Sequence, residues 1–297
     1  MRCEKKIRNH KPSWLKKSLP RGGDYQRVRN LLSKAKLHTV CQEANCPNMF
    51  ECFSKNTATF MILGSVCTRN CRFCNILNRL PMAVDPDEPL RVANTAKDLN
   101  LKYIVVTSVT RDDLDDGGAA HFADTIKAIK AVLPDNTKIE VLIPDFQGNL
   151  ESLKTVIHAG PDVLNHNIET IPSLYSKARP EADYYQSLEL LQNADSINSS
   201  LGLSMPIKSG IMVGLGETME ELEQTMQDLY DHGCSIITMG QYMQPTKLHL
   251  KVEKYYSPDE FKTLEDTAVK IGFKKIASGP FVRSSYNANE LFTLSDE

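Results

Sequence analysis

Apolar and polar positions alternate between two rhythms from residue 58 onward. Short runs rich in β-branched and apolar side chains occupy residues 59–64, 103–108, 138–143, 163–168, 207–213 and 235–241. Such runs predict buried strands. Between them the spacing turns helical. Phe122, Ile126, Ile129 and Leu133 share one helical face, as do Leu222, Met226 and Leu229. Thr218 and Glu221 form a capping box ahead of the second face, with Gly233 as its stop. Ser257-Pro258-Asp259-Glu260 opens a further helix that turns Phe261, Leu264 and Ala268 inward. Strands alternating with helices imply βαβ units and a parallel sheet. The fold class is therefore α/β, and six such units predict an incomplete (β/α)6 barrel. Residues 1–57 lack this periodicity apart from a helix expected around 25–37, and the stretch around Cys41, Cys46 and Cys52 reads as loop.

Composition refines this picture. The chain has 297 residues, 41% of them apolar, enough for one barrel core. No apolar run is long enough to span a bilayer, and no apolar signal core stands at the front, so no membrane partner and a cytoplasmic location are expected. Eight cysteines without an export signal point to metal or catalytic thiols rather than disulfides. The net charge of −2 hides a split: residues 1–36 hold twelve Lys and Arg against Glu4 and Asp24, which leaves +10 there and −12 elsewhere. That asymmetry suits an acidic partner or nucleic acid; a solvated basic extension on an acidic body accounts for it equally. Lys11-Pro12-Ser13-Trp14-Leu15-Lys16 reads as a segment docking the only tryptophan, which argues against a basic transit leader.

The chemistry gathers where a parallel barrel places it, after the strands. Cys67, Cys71 and Cys74 follow the first strand at C-x3-C-x2-C. Thiolates suit Fe–S clusters or zinc, and three of them leave one iron of a four-iron cluster open. A zinc site would want a fourth Cys or His close in sequence, and none is there. Cys41, Cys46 and Cys52 form a second triplet at C-x4-C-x5-C. After the second strand, Asp116-Gly117-Gly118 is either a plain turn before a helix or a backbone cradle for a small charged ligand. Asn167 and Glu169 alternate along a strand with Asn165, as a polar layer or as acceptors for hydroxyls. Arg179 is either a surface arginine or a carboxylate partner. His166 is expected to be structural and Cys234 a core thiol; Gly210, Gly214 and Gly216 mark close backbone approach, and the acidic run 112–116 reads as a solvated loop.

C-x3-C-x2-C with Phe73 before its last cysteine resembles the radical S-adenosylmethionine (SAM) superfamily. Together with C-x4-C-x5-C upstream and Arg283-Ser284-Ser285-Tyr286 near the end, the pattern is similar to that of the lipoyl synthases, from about Trp14 to Tyr286. The resemblance implies a radical SAM barrel over 58–280, with extensions 1–57 and 281–297 closing over it. It implies two [4Fe–4S] clusters, a SAM-cleaving one on Cys67, Cys71 and Cys74 and an auxiliary sulfur-donating one on Cys41, Cys46, Cys52 and Ser285. It implies that Asp116, Gly117, Gly118, Asn167, Glu169 and Arg179 contact SAM. The implied reaction inserts sulfur at C6 and C8 of an octanoyl chain on a lysine of a lipoyl carrier protein, either glycine cleavage H protein or a 2-oxoacid dehydrogenase E2. A ferredoxin or flavodoxin reductant and an Fe–S assembly or carrier protein are implied as further partners, and no nucleic acid. Two other readings stay open at this point. A tRNA methylthiotransferase would suit the basic front but not the compact upstream triplet or the tail. A non-enzymatic zinc module for nucleic acid would explain six cysteines but not the strand–helix alternation.

Overall fold

In the computed structural model the described residues are 11–16, 24–54 and 58–293. Cys3 and the basic residues Arg2, Lys5, Lys6, Arg8, Lys17 and Arg21 lie outside them. The N-terminal extension folds as α1 (Asp24–Lys34), β1 (His38–Thr39), α2 (Val40–Glu43) and α3 (Met49–Ser54). Strand β2 (Thr59–Ile62) leads to a ribbon of β3 (Val66–Cys67) and β4 (Leu77–Asn78). Then come α4 (Glu88–Asp98), β5 (Tyr103–Ser108), α5 (Ala119–Val132), β6 (Lys138–Leu142), α6 (Leu150–His158), β7 (Val163–Asn165), α7 (Pro172–Ala178) and α8 (Tyr184–Ser200). The last units are β8 (Ile207–Val213), α9 (Met219–Asp231), β9 (Ile236–Gln241), α10 (Pro258–Ile271), β10 (Lys275–Gly279) and α11 (Ala288–Thr293).

The main sheet runs β1-β2-β5-β6-β7-β8-β9-β10. All its pairings are parallel except that of β1 with β2. The six expected strands are therefore present in order, and the sheet curls without closing. Four strands were not expected, the short β3–β4 ribbon and two strands of the main sheet. β1 is a two-residue edge, and β10 has only Ile276 as a β-branched residue and is half-buried throughout, so it carries no strong apolar run. The triplet around Cys41–Cys52 is also more helical than loop, with Cys41 on α2 and Cys52 on α3.

Local chemistry explains the helices. Ile126, Ile129 and Phe122 of α5 are fully buried against the sheet, as the spacing requires. Reciprocal capping boxes start α9 at Thr218 and Glu221 and α10 at Ser257 and Glu260, and Gly272 ends α10 in the left-handed region. Tyr103, Val105 and Thr107 alternate with Ile104 and Val106, so β5 faces the helices with one set and the barrel interior with the other. Ala288 and Phe292 of α11 pack on Tyr103 and Val105, so the C-terminal segment covers part of an interior that an open barrel would leave bare.

Candidate functional site

The first cysteine triplet sits at the strand ends. Leu63 and Gly64 both adopt positive φ after β2 and turn the chain outward. Glu88 fixes that turn, accepting from the Leu63 N–H at 2.7 Å and from His121 Nε2 at 2.8 Å. The β3–β4 ribbon then brackets the loop that carries Cys71 and Cys74. Backbone N–H groups of Arg69 and Thr110 point at Cys67 Sγ from 3.4 and 3.3 Å, as donors to a thiolate should. The loop is held from other elements too: Arg72 N–H donates to Ala178 O at 2.9 Å, Leu250 N–H to Arg72 O at 3.0 Å and His249 Nε2 to Cys74 O at 2.9 Å. Burial pushes the Cys71 thiol up to about 11 against the pull of Arg179, and the Cys74 thiol to about 12. Such thiols stay protonated until a metal displaces the proton.

Arg69, inside this loop, is the residue that sequence reasoning missed. Its guanidinium is buried and forks to two carboxylates, Asp112 at 2.7 and 2.9 Å and Asp145 at 2.5 and 2.7 Å. Burial opposes the Asp145 charge, yet the bonds and charge of Arg69 outweigh it and hold that carboxyl at about 2. Asp112 is thus an anchor rather than loop solvation, and Asp113 pairs with Arg111 at 2.8 Å. Arg69 looks in sequence like any loop arginine, and only the sheet brings Asp112 and Asp145 together around it.

The residues expected to contact a small ligand fall into two groups. Asp116 caps α5, accepting from Gly118 and Ala120 N–H at 2.8 Å each, so the geometry gives this motif its turn role. Gly117 and Gly118 are both left-handed, and a Cβ on Gly118 would collide with the Leu63 side chain. Asn167, Glu169 and Arg179 converge instead beside Cys71. Asn167 Nδ2 donates to Glu169 Oε1 at 3.1 Å, and Arg179 Nη1 donates to Asn167 O at 3.1 Å and to the Tyr175 hydroxyl at 2.7 Å. Arg179 is buried, not a surface arginine, and its Nε has no partner in the structure. Glu169 has a left-handed backbone (φ 70), held by its N–H on Gly210 O at 2.9 Å. Burial raises its carboxyl, while Arg179 and the Asn167 amide counter this. Asn165 points elsewhere, to Glu140 at 3.2 Å. After β8, Glu217 accepts from the N–H groups of Gly214, Leu215 and Gly216 and so closes the glycine turn.

His166 is structural on one side only. Its Nδ1–H donates to Ile143 O at 2.9 Å, while Nε2 is buried without a partner. Burial, helped by Arg179 and opposed by Asp145, lowers the imidazole to about 4. An unfolded histidine titrates near 6.5. Between those values the unfolded chain binds the extra proton, so this contribution to stability is complete above pH ~6.5 and lost as pH falls toward 4. Unfolding free energies from urea titrations at pH 7 and pH 5 are expected to differ by about 2 kcal/mol more in the parent than in His166→Gln. Equal pH dependence in the two proteins would refute this assignment.

The second triplet lies where α2 and α3 meet the tail. A small cleft is lined by Cys41, Cys46, Cys52, Arg283, Ser285 and Tyr286. Asn48 Nδ2 donates to Phe281 O at 2.7 Å and the Tyr286 hydroxyl to Glu51 at 2.8 Å, which ties both ends of the tail segment to the extension. A side-chain hydrogen bond to Cys52, with burial, pushes the Cys41 thiol well above its ordinary range. Among the described residues no three His, Cys, Asp or Glu side chains are grouped to hold a single metal ion. Thiolates sharing a four-iron cluster each bond a different iron and stand farther apart than ligands of one ion. Three thiols and a hydroxyl around one cleft fit such a cluster. Three thiols beside an unpartnered arginine N–H and a half-buried carboxylate fit a cluster with an amino-acid ligand.

Known proteins resemble this chain over almost its whole length. A family model described as the radical SAM superfamily matches residues 61–229, and one described as the N-terminal domain of lipoyl synthase matches residues 1–46. Lipoyl synthase of Alkaliphilus metalliredigens is 52% identical over 97% of this chain and 97% of its own length. That of Desulfotalea psychrophila is 54% identical over 98% of this chain and 95% of its own. Among solved structures, methylornithine synthase superposes with a TM-score of 0.55 at 14% identity, covering 85% of this chain and 74% of that one, a likeness of fold.

Proposed function

The chain belongs to the lipoyl synthase family of the radical SAM superfamily, and from that premise we propose a division of labour among its residues. The enzyme inserts sulfur, uses SAM and two [4Fe–4S] clusters, and has a lipoyl carrier as its substrate. Relatives that match nearly the whole chain leave the methylthiotransferase and zinc-module readings without support. When bound, these groups supply hydrogen-atom abstraction from unactivated methylenes and the sulfur to be inserted. The protein supplies position and a site shielded from water.

Cys67, Cys71 and Cys74 hold the SAM-binding cluster, with the Arg69 and Thr110 N–H groups stabilising the Cys67 sulfur charge. Arg179 takes a carboxylate of SAM through its open Nε, and Asn167 with Glu169 accepts ribose hydroxyls. Gly117 and Gly118 shape that cavity, while Asp116 keeps only the lone pairs left by its capping role for the amino group. Cys41, Cys46, Cys52 and Ser285 hold the auxiliary cluster. In this reading the chain divides into extensions 1–57 and 281–297 and a partial barrel of 58–280, and among the described residues the two extensions touch at Asn48–Phe281 and Glu51–Tyr286. One observation carries this reading: Ser285, near the C-terminus, lines the same cleft as three cysteines from the N-terminal extension. Burial lowers the Arg283 guanidinium, opposed by the charges of Cys46 and Glu169, and its side chain lines the cleft of the second triplet.

The substrate in this reading is an octanoyl chain on a lysine of a carrier domain, sulfurated at C6 and C8. A ferredoxin or flavodoxin supplies electrons, and an Fe–S assembly protein rebuilds the auxiliary cluster. Mass spectrometry of an octanoyl-lysine carrier peptide after anaerobic incubation with reconstituted enzyme, SAM and dithionite is expected to show a gain of two sulfurs. SAM cleavage without sulfur in the peptide would refute the substrate. The basic front steers an acidic carrier: Lys16 is exposed, and Lys17 lies outside the described residues. Charge reversal at both is expected to slow carrier sulfuration up to about tenfold at low salt and to flatten its salt dependence. A rate indifferent to salt would refute steering. Among the described residues no helix is long and apolar enough to cross a membrane.

A further inference from the structure

Lys208 is a buried charge that these assignments leave without a task. It lies on β8 with 1% of its side chain exposed, against a Glu140 carboxylate that is fully buried. Its Nζ donates to Glu140 Oε1 at 2.8 Å and to the main-chain oxygen of Ser284 at 2.6 Å. Glu140 is itself oriented by the Tyr103 hydroxyl at 2.6 Å and by Asn165 Nδ2 at 3.2 Å. An ion pair this deep adds little stability over apolar residues of the same volume, and its best-attested use is to fix a register. The register in question is that of the tail. Residues 281–287 form no strand or helix, so their position is set by contacts with other elements.

Those contacts come from two sides. The N-terminal extension grips Phe281 and Tyr286. The barrel grips Ser284 twice, by its carbonyl through Lys208 and by its hydroxyl, which donates to Asn167 Oδ1 at 2.8 Å. Gly210 leaves room for this approach: a Cβ there would stand 2.8 Å from Asn167 Oδ1 and 2.9 Å from Ser284 Oγ. Ser284 is the residue before Ser285. We infer that Lys208 is a positioning residue whose ammonium, aimed by Glu140, fixes the Ser284 carbonyl and so sets where the Ser285 oxygen stands among Cys41, Cys46 and Cys52. This rests on the reading of Ser285 as the fourth ligand. The arrangement keeps the tail seated on the barrel even when the serine oxygen lets go of its iron. The Ser284 hydroxyl also links the tail to Asn167, so the two cluster sites share one anchor point.

The test compares holoenzyme forms of the parent, Glu140→Gln, Glu140→Gln/Lys208→Met and Ser285→Ala. Glu140→Gln keeps an acceptor for the ammonium and is expected to retain a four-iron auxiliary cluster. The double variant is expected to show the same three-iron electron paramagnetic signal as Ser285→Ala. Amides of 281–287 should exchange hydrogen roughly tenfold faster or more in the double variant, since a charge-assisted bond is lost. Should that variant fail to fold, Glu140→Met/Lys208→Met replaces the pair by an apolar one of similar volume and is expected to give the same two readouts. A four-iron auxiliary cluster and unchanged tail exchange in the lysine variants, with iron lost in Ser285→Ala, would overturn the inference. Four irons retained in Ser285→Ala would instead remove the ligand reading beneath it, and the inference with it.

Discussion

Arg69→Met is expected to destabilise the protein by roughly 3–5 kcal/mol, because it strands a buried carboxylate. Asp145 is fully buried and depends on Arg69 for both of its ion-pair bonds. Methionine has similar reach but no donors. Asp145→Asn should cost less, since an amide oxygen still accepts from the guanidinium and Asp112 still balances its charge. Arg69→Met/Asp145→Asn should recover part of the loss, as a shared network is not additive. The same change loosens the loop between Cys67 and Cys71, so iron per chain at the SAM-binding site should fall in parallel with the denaturation midpoint. Acid titration gives a second readout. The Asp145 carboxyl is held at about 2 when folded and titrates near 3.9 when unfolded. Its contribution is present above pH ~4 and is lost as pH falls toward 2. An Arg69→Met protein with parental stability and iron content would show that the fork does not hold the loop.

Ser285→Cys should give an enzyme that assembles its auxiliary cluster and turns over poorly. A serine oxygen is a harder ligand than a thiolate and matches cluster iron less well. In the proposed ligand set, an iron held by Ser285 would be the one most readily released, which would expose cluster sulfide to the substrate. A cysteine at this position completes a four-thiolate site and holds that iron. Product should fall at least as far as the roughly 10- to 100-fold that outer-shell changes cost, while SAM cleavage continues. The geometry allows the swap: Ser285 lines the cleft of Cys41, Cys46 and Cys52, and its neighbours Ser284 and Tyr286 are anchored independently of its side chain. Normal yields of doubly sulfurated peptide from Ser285→Cys would reject the idea that a labile iron is required. Spectra showing no auxiliary cluster in that variant would reject the site itself.

Much of this molecule is legible from its residues in order. The short β-branched and apolar runs and the helical spacing between them place six parallel strands, and the capping boxes at Thr218 and Ser257 locate two helix starts. Those signals are local: an apolar run or a cap acts within a few residues, so the sequence contains the whole cause. Cysteine spacing is local in the same sense, because three thiols within eight residues reach one centre however the rest of the chain folds. Such motifs determine the fold class, the two cluster triplets and the family.

What the tertiary structure alone decided depends on residues far apart in the chain. β10 has a weak apolar signal and becomes a strand because β9 offers it an edge. Asp112 carries no mark that separates it from the acidic residues beside it until Arg69 is placed against it. Arg179 looks like a surface residue until α7 turns it toward Cys71. Asp116 reads equally as a turn residue or a ligand until the N–H groups opening α5 engage its carboxylate. Lys208 and Glu140 are unremarkable charges on separate strands, and only parallel pairing through β7 sets them face to face beneath the tail. Charge pairs, ligand shells and tail anchors cost desolvation and chain entropy wherever they form, so their geometry is fixed by the packed core that surrounds them and not by neighbours in sequence.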